Sequence, residues 1–223
     1  MSPRRSDPKT RAALVDIAAG LLAAEGPQAL STRRIAAEAG SSTMAVYTHF
    51  GGMIGLVREM VHEGFARLQD HLTKVVWTDD PVSDMALLGR AYRRNALANP
   101  HLYAVMFGGF SPAGFTLSDT DRQHGRYTLV NVAQCAARCI AVDRFDPGDP
   151  ELVAHRMWVA THGLVTLELG HYLLEPYDAD RLFEAQLVAL MVSAGDIPDA
   201  AERSVAESRR RLDDEVATRL PQH

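Results

Sequence analysis

The chain has 223 residues, 47% of them hydrophobic and 23% charged, with a formal net charge of −5. That is ordinary for a soluble protein with a buried core. No run reaches the roughly 18 apolar residues of a membrane span, and the N-terminus MSPRRSDPKTR lacks a signal-peptide apolar core, so a cytoplasmic protein is expected.

The charge is unevenly spread. In the first eleven residues Arg4, Arg5, Lys9 and Arg11 oppose only Asp7, which leaves a basic arm on an acidic body. A protein that touches nucleic acid with one end carries its charge this way. Leu14, Ile17, Ala18, Leu21 and Leu22 then follow helical spacing up to Glu25-Gly26-Pro27. Two short helices are expected at about 32–39 and 43–50, and Gly51-Gly52 break the chain before a longer helix at 53–73. Further helices are expected at about 82–99, 101–107, 119–142, 150–174 and 179–194, separated by segments rich in Pro, Gly and Asp. The reading is all-α: a three-helix unit with its arm over 1–52, a larger helical domain over 53–195 with 53–73 linking the two, and a frayed or solvated tail over 196–223.

Residues 31–50, STRRIAAEAGSSTMAVYTHF, carry the functional signal. Ile35, Ala36, Val46 and Phe50 supply an apolar face, and Ala39-Gly40 with Ser41-Ser42 make the turn between helices. The other face of the second short helix holds Thr43, Met44, Ala45, Tyr47, Thr48 and His49. A solvated helix normally carries Lys and Glu there, whereas small, aromatic and hydrogen-bonding tips suit a DNA major groove.

Ala18, Leu22, Gly26, Leu30, Thr32, Ile35, Ala36, Gly40, Ser42, Val46, Tyr47, His49 and Phe50 form a pattern that resembles the DNA-binding domain of the tetracycline-repressor (TetR) family of bacterial regulators. Trp158, His162 and Gly163, followed by Leu167-Glu168-Leu169, are similar to a Trp-His-Gly (WHG) subclass of its ligand domains, as are residues 98–103 and 106–108. The resemblance implies base contacts from Thr43 and Met44, with Met44 against a thymine methyl, and phosphate contacts from Tyr47, Thr48 and His49. Ser42 and Thr32 stand at the helix starts, where hydroxyls and free amides favour phosphate. Arg33 suits a guanine, because a guanidinium pairs bidentately with O6 and N7. Arg4, Arg5 and Arg11 are expected along the backbone or minor groove. The family's Lys at the start of the fourth helix is replaced by Met53, which removes about one phosphate contact.

The resemblance further implies a homodimer through the last two long helices, on a palindromic double-stranded DNA operator with half-sites roughly 10 bp apart. Leu152, Val159, Val165, Leu182, Leu187, Leu190 and Met191 are the apolar candidates for that contact or for the core beneath it. Candidate residues for a small-molecule effector are Tyr92, Tyr103, Met106, Phe107, Phe110, Tyr127, Trp158 and His162, whose few cations suggest an apolar or aromatic molecule. The function expected is ligand-responsive transcriptional regulation, as a repressor; an activator or corepressor-dependent regulator of the same fold, or more remotely a helical ligand-binding protein with a vestigial DNA reader, are the alternatives. No catalytic motif, cofactor or metal is expected. His155, His162 and Glu151, or Glu168 and His171, have metal-compatible spacing, but no recognised motif accompanies them. Cys135 and Cys139, four apart, read as buried thiols.

Overall fold

A computed structural model describes residues 7–107 and 118–216, and every regular element among them is helical. Arg4, Arg5 and Phe110 lie outside the described residues. The helices are α1 (Pro8–Glu25), α2 (Thr32–Glu38), α3 (Thr43–Phe50), α4 (Met53–Leu72), α5 (Pro81–Ala98), α6 (Pro100–Met106), α7 (Asp119–His124), α8 (Leu129–Ala141), α9 (Pro150–Leu169), α10 (Ala179–Ser193) and α11 (Pro198–Glu215). No helix among the described residues is long and apolar enough to cross a membrane.

The chain divides into two compact units. One comprises the described residues of Met1–Ala66 and Asn99–Gly125, the other those of Arg67–Ala98 and Arg126–His223. By their contacts α6 and α7 fall in the unit of α1–α3, while the sequence reading counted them in the 53–195 domain. The reason is local: α6 packs on α1, and Met106 fits where Gly64 of α4 has no side chain. A Cβ at Gly64 would lie 2.5 Å from the Met106 sulfur.

In this first unit Leu14, Ala18 and Leu22 of α1, Ile35 and Ala36 of α2, Val46 of α3, and Leu56, Val57 and Met60 of α4 are all buried, and α2 packs on both α1 and α3. Caps set the boundaries: Asp7 accepts from the Lys9 amide and Ser31 from the Arg34 amide. Gly26, at φ +78°, ends α1, and Gly51, at φ +71°, ends α3. Both backbone angles are left-handed, which glycine adopts without strain. Ile54, in the first turn of α4, is exposed.

In the second unit α5 is sheathed by α8, α9, α10 and α11. Its buried residues include charged ones. Asp84 is fully buried, and its carboxylate accepts from the Thr78 amide and hydroxyl (2.9 and 2.8 Å), from Arg138 of α8 (2.7 Å) and from Arg211 of α11 (2.9 Å). Arg90 of α5, also buried, donates to Glu184 of α10 at 2.6 and 2.8 Å, to the Ser208 hydroxyl at 2.8 Å and to the Val205 carbonyl at 3.0 Å. Arg144 clasps Asp196 with two 2.7 Å bonds and reaches Ser204 at 3.1 Å.

These bonds correct the reading of the C-terminal segment. Through residue 215 it forms α11, packed on α5 rather than frayed in solvent. Its buried face is Ala201, Ser204, Val205 and Ser208, small residues at helical spacing that permit close approach but look polar in the sequence. Cys135 and Cys139 are both buried, as read. The Cys135 thiol donates to the Pro81 carbonyl, and its hydrogen bond with Cys139, followed by burial, pushes its pKa well up.

Replacing Asp84 by Ala leaves Arg138 and Arg211 without their buried carboxylate, a loss of about 3–5 kcal/mol of folding stability. Arg211→Ala should cost less, because Arg138 and Thr78 still satisfy Asp84. Urea denaturation followed by circular dichroism checks both.

Candidate nucleic-acid interface and ligand cavity

The first unit holds α3 by one buried anchor, Val46, and leaves its opposite side open. Ser42, Thr43, Met44, Tyr47 and Thr48 are all exposed, with Met44 at 68% and Tyr47 at 55%. The α3 sequence TMAVYTHF has no Lys, Arg, Asp or Glu. Ser42 is the N-cap residue but makes no side-chain capping bond, so its hydroxyl is not committed to the helix. The Thr48 hydroxyl donates to the Met44 carbonyl at 2.8 Å, so it offers its remaining acceptor capacity rather than its proton. His49 is half-buried, with Nδ1 enclosed and unpartnered, and is the least accessible of the α3 candidates.

Neighbouring arginines have different fates. Arg34 is held by Glu25 through two 2.6 Å bonds and by Glu38 at 3.1 Å, which raises its pKa further above the usual guanidinium range. Arg33, one residue earlier, is exposed and forms no ion pair among the described residues. Arg11 is already engaged: it pairs with Glu59 and lies over the Phe50 ring, 5.5 Å from its centroid. Its charge is thus largely answered within the unit. Thr32 is half-buried in the first turn of α2, and Met53 occupies the first turn of α4, as the sequence departure requires.

The second unit contains a cavity of about 40 Å³. Its walls include Met85, Leu88, Gly89 and Tyr92 from α5, Met157, Trp158 and Thr161 from α9, and Leu187, Leu190 and Met191 from α10. Of the eight sequence candidates, the structure brings together Tyr92 and Trp158 at the wall, with His162 behind them. The Tyr92 hydroxyl is 3.1 Å from His162 Nδ1, and the Trp158 and His162 rings are 5.8 Å apart. Tyr103, Met106 and Phe107 do not join them. They sit in the first unit, where Phe107 meets Phe65 and Tyr103 edge-on or tilted. Tyr127 is partly exposed beside the wall residues Thr128 and Leu129.

Sequence reading also missed wall residues. Leu187, Leu190 and Met191 were grouped with the candidates for dimer contact, yet they line the cavity, and Val165 is fully buried in the core. Nothing in a single apolar stripe says which of its members face a void. Gly89 and Thr161 carried a fainter signal, as small residues inside otherwise bulky helices.

Residues with metal-compatible spacing are occupied elsewhere. Glu168 takes two bonds from Arg93, and His155 Nδ1 is 2.7 Å from the Glu151 carbonyl. No group of three or more His, Cys, Asp or Glu side chains suited to a metal occurs among the described residues.

An uncharged helix presented from a three-helix head, carried with a separate helical unit that encloses an apolar cavity, defines the class of helix-turn-helix regulators with a ligand domain. The family model described as "Bacterial regulatory proteins, tetR family" matches residues 14–60. The model "Tetracyclin repressor-like, C-terminal domain" matches 85–190, so the two together span most of the chain. The chain belongs to the TetR family of transcriptional regulators and has the family's DNA-binding and ligand-binding domains. A protein of unknown function from Rhodococcus sp. RHA1 is similar over 87% of this chain and 100% of its own, with a TM-score of 0.72 and 25% identity. A bacterial regulatory protein of the tetR family from Rhodococcus RHA1 is similar over 86% of this chain and 100% of its own (TM-score 0.65, 20% identity). RolR, solved with resorcinol, shares the fold over 89% of this chain and 93% of its own (TM-score 0.60, 18% identity). No curated protein matches the chain at a significant level.

Burial lowers the pKa of His162, and it is the foremost cause of the lowering at His62, His71 and His101. Each therefore resists protonation in the folded state more than in the unfolded one. Stability is complete above the unfolded value of about 6.5 and falls as pH drops through the lower folded values. The urea midpoint should decrease from pH 7 to pH 5, and the His162 ring should titrate below 6.5 by NMR.

Proposed function

We propose that the chain is a dimeric repressor of the WHG subclass, acting on DNA in the cytoplasm, and that a small uncharged effector releases it from a palindromic operator. The observation that carries the DNA-reading half is the exposed face of α3, whose uncharged residues surround a projecting Met44. On this reading Thr43 and Met44 meet base edges, Arg33 reaches a guanine, and Ser42, Thr32, Tyr47, Thr48 and His49 hold the backbone. Arg11, paired with Glu59, contributes little unless that pair opens. Arg4 and Arg5 supply the backbone or minor-groove contacts that Met53 does not.

The dimer reading is supported by the outer face of α9. Leu152 and Val159 are 60% and 61% exposed, and Leu167 follows on the same side. Gly163 lies between them, and a Cβ there would meet nothing within 4 Å in one protomer. A glycine inside a helix costs about 1 kcal/mol relative to Ala, and close approach of a second α9 accounts for it. The effector would occupy the cavity bounded by Tyr92 and Trp158 and bias which arrangement of the two protomers is populated.

A gel shift with DNA from upstream of the chain's own gene tests the reading; absence of a salt-sensitive, sequence-selective shift would overturn it. Arg33→Ala should weaken operator binding by roughly 5- to 150-fold, the loss of a bidentate base contact of about 1–3 kcal/mol. Arg34→Ala, whose guanidinium is already paired, should change it by far less. Val159→Glu should convert the dimer to monomer in analytical ultracentrifugation and abolish the shift with it.

A further inference from the structure

The cavity has one feature that an apolar core does not need. Thr161 is 4% exposed and lies on its wall, in the interior of α9. A helical Thr or Ser in such surroundings normally returns its hydroxyl to a carbonyl one turn back. Thr166 does so with the His162 carbonyl at 2.8 Å, and Thr48 does so with Met44. The Thr161 hydroxyl makes no such return bond and is not among the enclosed side-chain atoms that lack a partner, so on this wall it opens onto the cavity. A hydroxyl that opens onto an otherwise apolar cavity keeps its donor and acceptor capacity for whatever occupies that cavity.

The surroundings restrict what that can be. No Asp, Glu, Lys, Arg or His lines the cavity among the described residues, so an ion brought there would lack a countercharge. Gly89 of α5 faces Thr161, and a Cβ added to it would stand 3.9 Å from the hydroxyl oxygen. The missing side chain leaves the hydroxyl reachable from the cavity. The cavity's 40 Å³ is well short of the about 150 Å³ that accepts benzene in a rigid protein cavity. Met85, Met157 and Met191 form part of the wall, and their unbranched side chains repack at low cost. Such a wall can widen to admit a single ring.

We infer that the cavity takes an uncharged molecule of about one ring, with an apolar body and a hydroxyl or carbonyl group that hydrogen-bonds Thr161. Thr161 is thereby the residue that separates polar from purely hydrocarbon ligands. The inference rests on the effector site proposed above, but it concerns binding chemistry and is measured without DNA.

Phenol, benzene and benzoate serve as probes, titrated into the full chain and followed by calorimetry and by the NMR signals of the methionine methyls. Phenol is expected to bind more tightly than benzene, with benzoate not binding. Thr161→Val should weaken phenol roughly fivefold, the range for one neutral hydrogen bond, and leave benzene unchanged. Thr161→Ser, which keeps the hydroxyl, should retain phenol binding. Equal phenol affinity in Thr161→Val, tighter binding of benzoate than phenol, or no phenol binding by the folded protein would each overturn the inference. Operator binding by ligand-free protein is measured separately. Its failure would strike the regulator reading and leave the cavity result standing.

Discussion

The carboxylate of Asp84 is the point on which the second unit depends. It sits fully buried near the start of α5 and accepts four hydrogen bonds, two from Thr78, one from Arg138 and one from Arg211. A buried charge is tolerable only when its bonds are satisfied, and here the satisfying groups come from the preceding loop, α8 and α11. Arg90 and Arg144 repeat the arrangement further along, tying α5 to α10 and α11, and the loop after α8 to the segment before α11. Such pairs add little net free energy compared with apolar packing, but each is satisfied in only one register. What they fix is position. The helices that wall the cavity are held at set distances by ionic bonds at its periphery, so the cavity interior can remain apolar and its methionines adaptable.

The first unit solves a different problem. A DNA-reading helix must be exposed and still keep one orientation. Val46 is its only buried side chain, and the rest of the restraint comes from the Ser41–Ser42 turn on one side and the left-handed Gly51 on the other. Charge is kept off α3 and placed beside it. Of the two adjacent arginines, Arg34 is spent on Glu25 and Glu38 to fasten α2 to the end of α1, which leaves Arg33 available. One residue of offset along a helix is a rotation of about 100°, and that rotation alone assigns one arginine to structure and the other to solvent.

What the sequence made legible follows from how local each signal is. The helices α1 to α4 and their breakers were readable because apolar spacing and the glycines act within a few residues. Tyr92 and Trp158 were readable as cavity candidates because aromatic side chains are conspicuous. Tyr103, Met106 and Phe107 were equally conspicuous, yet they lie in the other unit, since only the tertiary path shows that α6 packs on α1. α11 was misjudged for the opposite reason. Its buried face is built from Ala and Ser, and its Arg211 is a core contact that a hydropathy reading counts as solvent. Thr161 was invisible because its interest lies in a hydrogen bond it does not make.

One helix carries both parts of the proposed switch. Met157, Trp158 and Thr161 face the cavity from α9, while Leu152, Val159 and Leu167 stand on its outer side. A helix transmits displacement nearly rigidly, because shearing its hydrogen-bond ladder costs far more than repacking side chains against it. A molecule that spreads the cavity therefore moves the outer face by a comparable amount, with no chain of intermediaries required. On the proposed reading, effector and operator then compete through the geometry of the α9 pair. Coupling free energies of this kind are typically about 1–3 kcal/mol. Methionine rearrangement on one side of a helix, exchanged for altered packing around Val159 and Gly163 on the other, is a displacement of the right kind to supply it.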